Sequence, residues 1–237
     1  MPNSVVRVLA LAIVAASLLS FPAEAQGNWR RGDNGSARLR VGLFEPDGDS
    51  EYWDDSFSVF TGRPADFEDY VMAFDYLWRI GPSTGIMFTV GYYEGDTTQA
   101  YRDWVDADGY DIPHRTSLEI ADLNAAWVFQ LNRPGASFQP YLGVGGGFVQ
   151  WGLEESGYFI DFSDDAQPVV FAHYKADGST LQWFVMLGAE VPLGTRWSFV
   201  IDGRWRNADD ELGDDFAGFG TLDLSGNEYS AGFATRF

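Results

Sequence analysis

The chain has no cysteine, which excludes a disulfide framework and any thiolate metal site. Basic charge is scarce: 15 Lys and Arg stand against 35 Asp and Glu, a formal net charge of -20. A phosphate backbone needs a basic face, so no nucleic acid is expected as a partner. Long apolar runs are missing beyond the first residues and the mean hydropathy is -0.17, too low for a bundle of membrane helices. What the chain does have is aromatic residues, 16% of the total, and a length of 237 residues that suits one domain of the barrel or sandwich kind.

The first 25 residues read as a secretory signal. Arg7 and the free amine supply positive charge, Val8 to Leu19 the apolar core, and Ala23-Glu24-Ala25 a small-x-small cleavage site. The mature chain then starts at Gln26, which is not Cys, so lipid attachment there is not expected. Residues 26–36 are polar and Gly-rich and read as a short tail before a barrel over residues 37–237.

From Ala37 onward apolar and polar residues alternate in segments, the period-two pattern of strands with one apolar face. Strands are expected at Ala37–Glu45, Phe67–Ile80, Gly85–Gly95, Thr116–Leu131, Ser137–Trp151, Thr180–Val191, Arg196–Arg206 and Glu228–Phe237. Leu118 and Ile120 break the parity of the fourth strand, and a β-bulge there would reconcile them. Tight turns at Gly81-Pro82, Pro134-Gly135 and Pro192-Leu193-Gly194 alternate with long polar segments at 46–66, 96–115, 152–179 and 207–220. Trp78, Trp127, Phe129, Trp197 and Phe237 gather near the short-turn rim; Tyr70, Tyr92, Phe148, Trp205 and Tyr229 gather toward the other. Such rings prefer the headgroup level of a bilayer. A soluble lipocalin-like barrel or sandwich shows the same alternation turned inside out. The charges at inward parity argue against it, because an apolar core does not tolerate them.

The last residues decide the reading. Tyr229, Ala231, Phe233, Thr235 and Phe237 share one face; Glu228, Ser230, Gly232, Ala234 and Arg236 share the other. This strand, ending on an aromatic, resembles the closing strand of small bacterial outer-membrane barrels, the OmpA transmembrane-domain, OmpW-like and porin-family proteins. Asp223-Leu224-Ser225-Gly226 just before it adds to the likeness. The resemblance implies an all-β, eight-stranded antiparallel up-and-down transmembrane β-barrel in the outer membrane of a Gram-negative bacterium, with both termini periplasmic. It also implies Tyr229, Phe233 and Phe237 as the signal read by the barrel-assembly machinery, contact with outer-membrane lipid and lipopolysaccharide, a monomer, and no cofactor.

Three places could carry chemistry. Arg38, Arg40, Asp75, Arg79, Asp122, Glu190, Asp202, Arg204, Arg206 and Arg236 all take the inward parity. Eight strands leave an interior just wide enough for side chains to fill, so these charges should pair and plug the lumen, or line a narrow gated path. Asp106, Asp108 and Asp111, with Gly109 between, could give weak calcium binding that bridges loops to lipopolysaccharide phosphates. His114 near Ser117, with Glu119 as orienting carboxylate, is the minimum for acyl transfer by a lipid A-modifying enzyme; His173 lies in another predicted loop. The family's lipid A deacylase pattern is not reproduced, and no enzyme activity is expected. A conduit for small hydrophobic molecules would instead need an apolar funnel from Met87, Tyr93, Trp151 and Phe184, with a gap between strands. A structural or porin-like role with long acidic loops is the primary expectation.

Overall fold

A computed structural model describes residues 35–132 and 136–237. The proposed signal, almost all of the tail and part of the turn after Asn132 lie outside these residues. In chain order the elements are β1 (Gly35–Pro46), α1 (Glu51–Val59), a 3-10 turn (Pro64–Phe67), β2 (Asp69–Arg79), β3 (Thr84–Val105) and β4 (Asp111–Gln130). There follow β5 (Gln139–Ile160), β6 (Val169–Pro192), β7 (Trp197–Asn207), β8 (Asp209–Glu211), a second 3-10 turn (Asp214–Phe216), β9 (Thr221–Asp223) and β10 (Gly226–Arg236). Eight strands close a ring in the order β1-β10-β7-β6-β5-β4-β3-β2, every neighbour antiparallel. β8 and β9 form a separate hairpin. Closure leaves no edge at the level of the ring, so each backbone group there has a ladder partner.

The outer face carries the apolar parity. Leu39, Val41, Tyr70, Leu123, Leu142, Leu187, Ile201 and Phe233 are exposed together around the ring. Both sets of aromatics that suggested girdles point outward with them. Strands of 11 or 12 residues, as in β1, β2, β7 and β10, match the roughly 9–11 tilted residues that cross a bilayer.

β3, β4, β5 and β6 run on for 20 to 24 residues, about 30 Å of extra strand at roughly 3.3 Å per residue. The segments expected to be long loops at 96–115 and 152–179 are therefore mostly strand, ending in short tips at 106–110 and 161–168. The reason is visible on the outer face. Past Tyr92, Ala121, Phe148 and Leu181 the outward residues change to Glu94, Asp96, Glu119, Gln150, Glu154, Ser179 and Asp177. These strands leave the apolar belt and meet water, so their lipid-type alternation ends while the strand does not. One half of the barrel thus carries a tall four-stranded wall, and the other half stops at the belt.

The expected bulge in β4 is absent: its register with β3 and β5 runs unbroken through Leu118 and Ile120. Both residues point inward and are fully buried. They are apolar because the upper interior is apolar, not because they face lipid. Gly143, Gly145 and Gly147 face inward, and a methyl on Gly145 would stand 2.7 Å from Phe184 Cζ. The bare backbone there makes room for large neighbours.

Candidate functional site

The interior is filled in levels. Near the short-turn end, Glu190 accepts from Arg38 Nη2 at 3.3 Å and from Arg236 Nε at 3.0 Å. Further in lies a larger network centred on Arg40. Its Nε donates to Asp75 at 2.7 Å and its Nη1 to Glu228 at 2.8 Å, with Asp202 3.5 Å away and Ser230 also accepting. Arg204 joins Asp202 at 2.8 Å and Asp75 at 3.2 Å, and Arg206 reaches Asp122 at 3.4 Å. Tyr141 donates to Asp202 and Thr89 to Asp75, each at 2.7 Å. Five arginines (38, 40, 204, 206 and 236) face five carboxylates (75, 122, 190, 202 and 228), so the paired set is neutral. Arg79 sits at the rim of β2, half-buried.

Apolar packing separates and closes these ionic groups. Leu77, Met87, Ala126, Val128, Tyr141, Phe184 and Met186 form one cluster. Arg38 stacks over Tyr141 at 5.0 Å and Arg204 over Phe184 at 5.6 Å, so both groups meet it. On the far side Arg206 lies 3.5 Å over the ring of Phe44. Phe44 begins a second cluster that includes Val71, Tyr93, Leu118, Ile120, Val149, Trp151 and Leu153 from the barrel.

Two segments on the low half close the top of that cluster. Ser50 precedes α1, and Glu51 and Asp54 in the first turn suit the positive end of the helix dipole. α1 turns Tyr52 and Trp53 inward, Trp53 onto Phe67, and β9 adds Leu222 just before Leu224. Asp223 ties the two segments together. Its carbonyl accepts from Trp53 Nε1 at 3.1 Å, its Oδ2 from Asp49 N at 2.9 Å, and its N–H donates to Ser50 Oγ at 3.1 Å. The Asp-Leu-Ser-Gly stretch before the last strand is thus a clamp between the first and last long connections.

The sequence reading missed several of these residues. Glu228 was legible, because it shares the inner face of the closing strand with Arg236. Tyr141, Asp223 and the clamp were not, since their partners come from strands distant in sequence. The four residues considered for an apolar funnel are divided: Tyr93 and Trp151 lie in the upper cluster, Met87 and Phe184 in the lower one. The ring of ladders has no gap beside them.

His114 and Ser117 fall on opposite faces of β4, so the arrangement needed for acyl transfer is not formed. His114 is buried among Phe60, Tyr101 and Phe159, with ring centroids 4.1, 6.5 and 5.0 Å away, while Ser117 and Glu119 take the outward parity. Neither imidazole nitrogen has a hydrogen-bond partner among the described residues. His114 lies above the belt, and burial pushes its pKa down to about 4. His173 stands on the outer face of β6, 3.0 Å from Glu154. Asp106 caps the β3–β4 tip, its Oδ1 accepting from Asp108 N at 2.9 Å and Tyr110 N at 2.8 Å. Among the described residues no group of three or more His or carboxylate side chains is placed to hold a metal ion.

The profile of the outer membrane protein beta-barrel domain family matches residues 11–237. The chain belongs to this family. It is an outer-membrane β-barrel protein, and its ring of eight strands and apolar belt are the family's architecture. None of the curated proteins matches it significantly. Among solved structures, neisserial surface protein A is 11% identical with a TM-score of 0.47, over 86% of this chain and 96% of that one. Escherichia coli outer membrane protein W is 10% identical with a TM-score of 0.41, over 88% of this chain and 100% of that one. Yersinia pestis Ail, solved with the heparin analogue sucrose octasulfate, is 12% identical with a TM-score of 0.40, over 86% and 99%. These are distant likenesses of shape; the assignment rests on the profile match.

Proposed function

We propose that this protein is a structural, non-enzymatic component of the outer membrane with a plugged, non-conducting lumen, and that its wall and cap are the parts that meet the outside. The supporting observation is the neutral, mutually paired ion network packed between two apolar clusters. An ion entering it would have to separate buried pairs, and uncompensated buried charges cost about 3–5 kcal/mol each time a partner is lost. In this reading the short turns and both termini face the periplasm, and the tall wall stands on the cell surface. The outward residues Tyr229, Phe233 and Phe237 of the last strand serve assembly, and the belt contacts lipid and lipopolysaccharide.

The test is single-channel recording of the refolded mature protein in a planar bilayer, with folding verified by a heat-dependent gel shift. The reading predicts silence. Discrete conductance steps that change when Glu190→Gln or Arg204→Gln is introduced would overturn it and make the lumen a path.

A further inference from the structure

A cavity of about 570 Å³ opens between α1, the upper wall and the second 3-10 turn, well above the belt. Its lining is aromatic from every side: Tyr52 and Phe60 from the α1 segment, Tyr101 from β3, Phe159 from β5, Tyr174 from β6 and Phe216 from the turn. These rings touch mainly edge to face, Phe60 to Tyr101 at 4.8 Å, Phe159 to Tyr174 at 5.1 Å and Tyr52 to Phe216 at 5.8 Å. Of the three carboxylates that line the same space, Glu155 of β5 is the buried one, only 6% exposed. Tyr52 Oη donates to its Oε1 at 2.7 Å. No Arg, Lys or His among the described residues forms an ion pair with it. Asp55 and Asp215 stand at the same cavity.

This contrasts with the lumen, where every named carboxylate has an arginine. A buried carboxylate is costly unless a cation faces it. Aromatic faces carry negative charge density and attract cations held over them, most strongly when water is excluded. A cavity of this size takes a small organic molecule. We propose that this cavity binds an organic ammonium ion, its cationic head caged by the rings and set against Glu155. The missing counter-charge of Glu155 is then supplied by the ligand. Burial raises the Glu155 carboxyl above its ordinary range, and a cation set against it would lower it again. The binding does not depend on whether the lumen conducts.

The test uses the refolded mature protein in a non-ionic maltoside micelle, which brings no competing ammonium headgroup. Choline and its uncharged carbon isostere 3,3-dimethylbutan-1-ol are titrated by saturation-transfer NMR and calorimetry. Choline should bind about tenfold or more tightly than the alcohol, because the two differ only in the charge the rings recognise. Glu155→Gln should weaken choline about tenfold and leave the alcohol unchanged, and Tyr101→Leu should weaken choline by severalfold. Equal affinity for the two probes, or no choline binding into the millimolar range, would overturn the proposal. So would full choline affinity in a folded Glu155→Gln. The comparison of the two probes on the unaltered protein needs no variant and stands even if a variant fails to fold.

Discussion

Inside the belt the barrel is ionic; above it the interior is aromatic. In the lower region each buried charge meets opposite charges from other strands, and Arg40 alone joins β1 to β2, β7 and β10. In the upper region rings and aliphatic side chains pack without ion pairs, and among the polar groups buried there Glu155 and His114 lack a charged partner among the described residues. The difference teaches where specificity comes from. Buried ion pairs fix the register of strands, since a slip of one residue would expose every charge to lipid. Apolar rings close a space without dictating so exact a match, and they leave polar groups that a ligand or a proton can address.

The largest effect should come from breaking the ionic level. Arg40→Met leaves Asp75 and Glu228 short of their main counter-charge and should destabilise the whole barrel by about 3–5 kcal/mol, read as a lower urea midpoint for the heat-modifiable band. An unchanged midpoint would mean that the network fills space without holding strands. Trp53→Ala should cost about 3 kcal/mol, but locally. Amides of α1, β8 and β9 should exchange faster while the midpoint of the barrel stays put.

Much of the ionic level was legible and little of the aromatic level was. Lipid on one side forces strict alternation, so the eight strands, their turns and the inward charges could be read from parity alone. Parity failed where lipid ended. Asp96, Glu154 and Ser179 look like loop residues only if every strand is assumed to face a membrane. Leu118 and Ile120 look misplaced only if every apolar residue is assumed to face outward. Partners stayed hidden because strand tilt and closure set them: nothing local in the sequence brings Glu228 to Arg40, or Tyr52 to Glu155.

A smaller effect probes the aromatic level from within. His114→Phe removes two unpartnered nitrogens from a nest of rings and should stabilise the cap by about 1 kcal/mol at pH 8. Its advantage should grow on acidification. The folded imidazole has a pKa of about 4, against roughly 6.5 when unfolded. Between those values the unfolded state binds more protons, so His114 costs stability as pH falls through that window. At pH 4.5 the advantage should exceed its pH 8 value by about 2 kcal/mol. Glu155, with its raised pKa, works in the opposite direction in both proteins and cancels in the comparison. Cap amide exchange at the two pH values measures this, and a pH-independent difference would contradict the buried neutral histidine. The smallest effect lies outside both levels: Asp106→Ala should loosen the β3–β4 tip by about 1 kcal/mol or less, seen as faster exchange at residues 106–110 only.

The central claim is that the ionic level holds the barrel while the aromatic level closes it as a separate unit. Native-state hydrogen exchange by mass spectrometry, on the unaltered protein and on Arg40→Met, tests it most directly. The account predicts that α1 and the β8–β9 hairpin open at a lower free energy than β1, β2, β7 and β10, and that Arg40→Met lowers protection in those four strands while leaving the opening of the cap relative to the barrel unchanged. Equal protection in both regions, with both falling together in the variant, would contradict it.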